Sequence, residues 1–150
     1  MTTYHQLHVH LVFSTKQRRE LLKADFANRV HGQLAAILKE EDVVPHIVNG
    51  HYDHVHVLLS FKPSQCLSDI VRVLKSRSSK WINEQGGPLN SFAWQRGYSV
   101  FSVSHSQMDV VRRYIENQEE HHRQRSFIEE LTLMLDRHGI KYDPQYLDDE

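Results

Sequence analysis

The sequence predicts an α+β fold, in which an antiparallel sheet carries two helices on one face and further helices follow at the C-terminal end. Three observations predict it. Apolar residues alternate from Tyr4 to Thr15 and again from Asp53 to Phe61, they recur at three- and four-residue steps in later segments, and the elements come in the order strand, helix, strand, strand, helix, strand.

In the first segment His5, Leu7, Val9, Leu11 and Phe13 form an apolar face, with Tyr4, Gln6, His8, His10 and Val12 opposite, which is the period of a strand with one buried face. The polar stretch Lys16-Gln17-Arg18-Arg19 separates it from Phe26, Val30, Leu34, Ile37 and Leu38, an amphipathic helix for which Asp25 is a suitable cap. Val43 to Val48 reads as a strand and Asn49-Gly50 as a turn. With the Asp53 to Phe61 strand, which Pro63-Ser64 terminates, they make a hairpin.

Leu67, Ile70, Val73, Leu74, Arg77, Trp81 and Ile82 then share one sector of a helical wheel, and Arg72, Lys75, Ser76, Ser79 and Lys80 give that helix a basic outer face. Gly86-Gly87-Pro88 breaks it, and Phe92 to Val103 is strand-like with an interruption at Gly97. A helix is expected over about 106–125, with Ser106 and Asp109 as a near capping box. Another is expected over about 126–138, capped by Ser126 and Glu129 and closed by Gly139, ahead of an acidic tail over 139–150. The order of the first six elements is the split βαβ arrangement of ferredoxin-like folds, whose first and third strands are central neighbours.

A chain of 150 residues with 39% hydrophobic composition fits a single domain, 1–150. The absence of a long apolar run or a signal-like start points to a cytoplasmic protein with no membrane partner. One cysteine, Cys66, excludes an intrachain disulfide framework and a thiolate-rich zinc site. The net charge of -1 hides an asymmetry: residues 1–113 hold 14 Lys/Arg against 9 Asp/Glu, whereas residues 114–150 hold 4 against 10. The first part can attract a phosphate backbone while the acidic end stays in solvent.

Twelve histidines invite a search for ligand spacing. His54-Val55-His56 puts two imidazoles on one face of a strand, where they can converge on one ion. A polar sheet face with two solvated histidines has the same pattern, and His8-Val9-His10 repeats the spacing. On the later helix, a turn of about 100° per residue puts Tyr114 and Gln118 on one face. Plain helix packing through the tyrosine is the competing reading.

Several segments together resemble the single-tyrosine HUH transposases of small bacterial insertion sequences, the insertion-sequence 200/605-like group that includes the REP-associated transposases. They are Asp53-His54-Val55-His56-Val57-Leu58-Leu59 and Tyr114-Ile115-Glu116-Asn117-Gln118-Glu119-Glu120-His121-His122, with Val9 to Arg19, Ser76 to Asn83 and Phe92 to Gln107 in the expected order. The resemblance implies that His54, His56 and Gln118 ligate a divalent metal, Mg²⁺ or Mn²⁺, and that Tyr114 attacks DNA. His8, His10, His51, Asp53, Asn117 and His121 then stand as residues around the ligands, while His122, Tyr142 and Tyr146 have only surface or packing roles. A ligand set without a carboxylate implies modest affinity for Mg²⁺.

By the same resemblance the activity is cleavage and rejoining of single-stranded DNA with hairpin ends through a 5′-phosphotyrosine. The implied assembly is a homodimer with exchange of the tyrosine helices, hinged near Ser104-His105-Ser106. For DNA contact the expected residues are Lys16, Arg18, Arg19, Arg72, Lys75 and Lys80; Trp94 and Tyr98 are stacking candidates, with core packing the first expectation. The competing functions are a metal-dependent phosphodiesterase in which water attacks, and a non-catalytic nucleic-acid-binding module on the same sheet.

Overall fold

A computed structural model describes residues 2–85 and 91–147. Four strands, β1 (Leu7–Ser14), β2 (Val44–His51), β3 (His54–Phe61) and β4 (Ser99–Val103), form one sheet in the order β2-β3-β1-β4, antiparallel at every junction. The helices α1 (Ala24–Glu40) and α2 (Leu67–Glu84) complete the split βαβ pattern, and α3 (Met108–Glu116), α4 (Gln118–His121) and α5 (Phe127–Arg137) follow. The fold class is the one the sequence predicts. The expected break at Gly86-Gly87-Pro88 lies outside the described residues.

The strand period divides the sheet into two faces. Val9, Leu11 and Phe13 of β1 lie opposite Leu59, Val57 and Val55 of β3, and pack with Val30, Leu34, Ile37 and Leu38 of α1 and Ile70, Val71, Leu74 and Ile82 of α2. On the other face His8, Val12 and Ser14 lie opposite Ser60, His56 and His54. That face is not left to solvent. Val12 and Phe101 pack under Phe127, Leu131, Met134 and Leu135 of α5, and Leu58 and Val103 pack under Ile115 of α3. The C-terminal helices thus bury a face whose polar residues need partners.

Several local expectations change. The hairpin turns at Tyr52-Asp53, and Asn49-Gly50 belong to β2. Gly50 instead serves close packing, because a Cβ there would lie 2.1 Å from the His54 carbonyl oxygen. The α1 cap is Lys23 with no side-chain bond, and Asp25 sits in the first turn, where a negative charge still favours the helix dipole. The α2 wheel is rotated: Arg77 faces outward and pairs with Glu40 and Glu41, while Ser78 takes a buried place and receives the Trp94 indole N–H at 2.8 Å.

The expected helix over 106–125 is broken. A 3₁₀ turn at His105–Gln107 precedes α3, Asn117 at φ −97° and ψ 25° separates α3 from α4, and α4 ends at His121. Ser106 does not cap it; its hydroxyl meets that of Ser104. By contrast Ser126 and Glu129 form a full capping box on α5. Gly139 at φ 65° closes that helix, letting the Ile140 N–H reach the Leu135 carbonyl at 3.0 Å.

Candidate metal and tyrosine site

His54 and His56 leave β3 on the face covered by α3, α4 and α5, and both are fully buried. His54 Nδ1 meets Asp53 Oδ1 at 2.8 Å, and His56 Nδ1 meets His10 Nε2 at 2.7 Å. With Nδ1 engaged in this way, each ring is oriented with Nε2 facing inward. His54 Nε2 lies 3.0 Å from Gln118 Oε1, and His122 Nε2 lies 3.2 Å from the same oxygen.

Glu130 enters from α5 and organises the centre. Its Oε1 lies 3.2 Å from His54 Nε2, 3.0 Å from His56 Nε2 and 3.1 Å from His122 Nε2. Its Oε2 accepts the Gln118 amide N–H at 2.9 Å and the Tyr114 hydroxyl. Burial pushes the Glu130 carboxyl up, and hydrogen bonds from His122, His54 and His56 more than reverse this, so it stays ionised. Burial likewise pulls His54 down, but Asp53 and Glu130 hold its imidazolium form up to about pKa 9. His56 is pulled down to about 4, burial outweighing the same carboxylate. Burial and the Glu130 charge raise the Tyr114 phenol above its ordinary value.

Donor chemistry decides whether a cation fits. One ligand atom from each of His54, His122 and Glu130 lies within 4.8 Å of the other two, a separation three donors can share around one ion. Gln118 Oε1 lies against His54 Nε2, and His56 Nε2 against Glu130 Oε1, though His56 is outside that group of three. A carboxylate thus stands beside the expected histidines and amide, and it suits a hard cation better than imidazole and amide alone. His122, expected only in a surface or packing role, has a side chain just 3% exposed and bonded to Glu130 and Gln118.

Sequence signals for both existed. Glu130 is an acid on the apolar stripe of Phe127, Leu131, Met134 and Leu135, and His122 stands one turn after Gln118.

The surrounding residues divide. His10 and Asp53 touch the histidine pair, His51 stacks on His122 with ring centroids 4.9 Å apart, and His121 stacks on the Tyr114 ring at 4.5 Å. Asn117 contributes the backbone break that lets the chain turn between Tyr114 and Gln118. His8 does not belong here; it sits at the opposite end of the strand, bonded to Ser60.

Among the cationic residues, Arg18 lines a cleft of about 320 Å³ with Asp53, Ser126, Phe127 and Ile128, beside the site. Lys16 and Arg19 are exposed on the same loop. Arg72 and Lys80 are exposed on α2, across the sheet, with Arg72 3.5 Å from Asp69. Lys75 is no solvated outer cation, since its ammonium bonds the carbonyls of Gln95 (2.5 Å), Arg96 (3.1 Å) and Gly97 (2.8 Å). Trp94 is a core residue against Phe13 and Phe92, and Tyr98 is 38% exposed.

Comparison with known proteins bears on the fold and the family. The chain is 29% identical over 123 residues to the ISDra2 transposase TnpA of Deinococcus radiodurans, covering 76% of this chain and 85% of that protein. It is 30% identical over 114 residues to the transposase for insertion sequence element IS200 of Salmonella typhimurium, covering 73% and 74%. A crystal structure described as a transposase from Deinococcus radiodurans R1 superposes with a TM-score of 0.64 at 26% identity, over 79% of this chain and 95% of that one. The REP-associated tyrosine transposase, solved bound to a REP hairpin, shares the fold with a TM-score of 0.60 at 12% identity, over 81% and 74%. Residues 3–118 match the family described as Transposase IS200 like, and the chain belongs to that family of transposases.

Proposed function

We propose that this transposase cuts and rejoins single-stranded DNA through a covalent bond between Tyr114 and a 5′ phosphate, and that it takes DNA with hairpin ends. The observation that carries this is the meeting of the Tyr114 hydroxyl with the carboxylate that also faces His54, His56 and His122. Four groups from three separate stretches of chain converge on one residue.

In this reading His54, His56 and Gln118 hold a divalent cation, with His122 and Glu130 Oε1 beside them. When bound, that ion withdraws charge from the scissile phosphate and helps align it for in-line attack. The chain's own groups handle the proton. Tyr114 Oη attacks phosphorus as its proton passes to Glu130 Oε2, the bond from phosphorus to the 3′ oxygen breaks, and that oxygen takes the same proton from Glu130 to leave as a 3′ hydroxyl. Rejoining runs the same steps backwards with a second 3′ hydroxyl, so no nucleotide cofactor is consumed. Arg18, in the cleft beside Asp53, is the nearest of the expected DNA contacts to that centre.

Tyr114 meets residues of its own chain, which supports a site completed within one chain. A homodimer that exchanges tyrosine helices is tested by mixing Tyr114→Phe with His56→Ala protein; recovered cleavage on mixing requires exchange. The chemistry itself is tested by incubating labelled single-stranded hairpin DNA with protein and Mn²⁺ and resolving the products on a denaturing gel. An adduct of protein and DNA that disappears in Tyr114→Phe is expected. Cleavage with no adduct would mean that water is the nucleophile.

A further inference from the structure

A second histidine cluster occupies the other end of the sheet face that carries His54 and His56. An apolar layer of Leu58, Val103 and Ile115 lies on the sheet between the two. His8 Nδ1 lies 2.5 Å from Ser60 Oγ, His46 Nε2 lies 2.6 Å from the same oxygen, and His8 Nε2 faces His105 Nδ1 at 3.4 Å. His46 falls where the register of β2 against β3 shifts between Pro45 and Ile47. A bulge of this kind re-aims a side chain and is common beside functional sites.

The spacing has a chemical meaning. Two nitrogens bound at about 2.0–2.1 Å in a tetrahedral site lie about 3.3–3.4 Å apart, which is the separation of His8 and His105. A His8 Nδ1–H donated to Ser60 would leave the Nε2 lone pair toward His105, the outer hydrogen bond that orients a ligating imidazole.

We propose that His8, His105 and His46 form a second site for a divalent transition metal of the zinc class, with His46 turning from Ser60 to complete it. An all-imidazole set favours Zn²⁺, Co²⁺, Ni²⁺ or Cu²⁺ over Mg²⁺, unlike the centre containing Glu130. The bound ion ties β1 and β2 to the 3₁₀ turn at His105–Gln107, from which the tyrosine-bearing α3 departs.

Cobalt tests the site independently of cleavage. The full chain is titrated with Co²⁺, visible absorption is followed, and bound ions are counted after gel filtration. Two ions per chain are expected for the unmodified protein, one for His46→Ala/His105→Ala, and one for His54→Ala/His56→Ala. His105→Ala alone, at an exposed position, should weaken the second site at least tenfold and guards against misfolding of the double variant. An unchanged count and spectrum in both the His46/His105 and His105 variants overturns the proposal. A missing DNA adduct bears only on the tyrosine chemistry.

Discussion

His56 and Glu130, 74 positions apart in the chain, meet at 3.0 Å with both side chains buried. The contact joins the central strand β3 to α5, so the carboxylate contributes to folding as well as to the site. Removing one member of a buried charged cluster leaves its partners uncompensated, which costs about 3 kcal/mol. Glu130→Gln should lower metal-free stability by about that amount in urea denaturation. A loss below about 1 kcal/mol would show that the cluster is not an ionic one.

The same cluster sets the pH dependence of the metal-free protein. His54 is held up at about 9, so its stabilisation is complete below the unfolded value near 6.5 and is lost as pH rises through about 9. Glu130 is held down, so its stabilisation is present above the ordinary carboxyl range and is lost as pH falls below it. His56 is held down to about 4, so its burial costs stability as pH falls below the ordinary histidine value, and melting temperatures should peak near neutrality. His54→Gln should flatten the alkaline limb specifically.

Cation binding at this centre requires His54 to surrender its proton, so an ion bound there near pH 7 should release one. Calorimetry in buffers of different ionisation enthalpy measures that number directly. Asp53→Asn removes the carboxylate that orients His54 and should weaken cation affinity about 10–100-fold. Affinity unchanged in Asp53→Asn would place the ion elsewhere.

Gly50→Ala tests how tightly β2 is laid against the start of β3. The added methyl would lie 2.1 Å from the His54 carbonyl oxygen, and backbone cannot rotate away as a side chain can. Destabilisation of about 1–3 kcal/mol is expected, with reduced cation affinity because His54 shifts. Full affinity together with full stability would contradict this packing.

Arg18 and Lys75 should separate in DNA binding. Arg18→Ala should weaken single-stranded DNA binding and reduce the salt slope by about 1. Lys75→Ala should leave the slope unchanged, because its ammonium is already committed to three carbonyl oxygens. Equal slopes for both variants would overturn the distinction.

Much of this could be read from residue spacing. Alternation in Tyr4 to Thr15 and Asp53 to Phe61, helical steps from Phe26 to Leu38, and the Ser126/Glu129 capping box are local patterns set by backbone geometry, and the sheet and its helices follow them. The turn placed at Asn49-Gly50 went astray because glycine serves close packing as well as turns, and local sequence does not distinguish the two. The break at Asn117 was hidden because Tyr114 to His121 is helix-compatible throughout.

Spacing alone displayed the alternating His54 and His56 pair and the four-residue step from Tyr114 to Gln118, and the residues around them carried the family resemblance. Tertiary packing alone brings Glu130 and His122 against His54 and sets His8 in a cluster with His46 and His105. Spacing along one element fixes direction, whereas a binding centre depends on distances between elements. Those distances are set by how α5 packs its apolar stripe onto the sheet and carries one carboxylate with it.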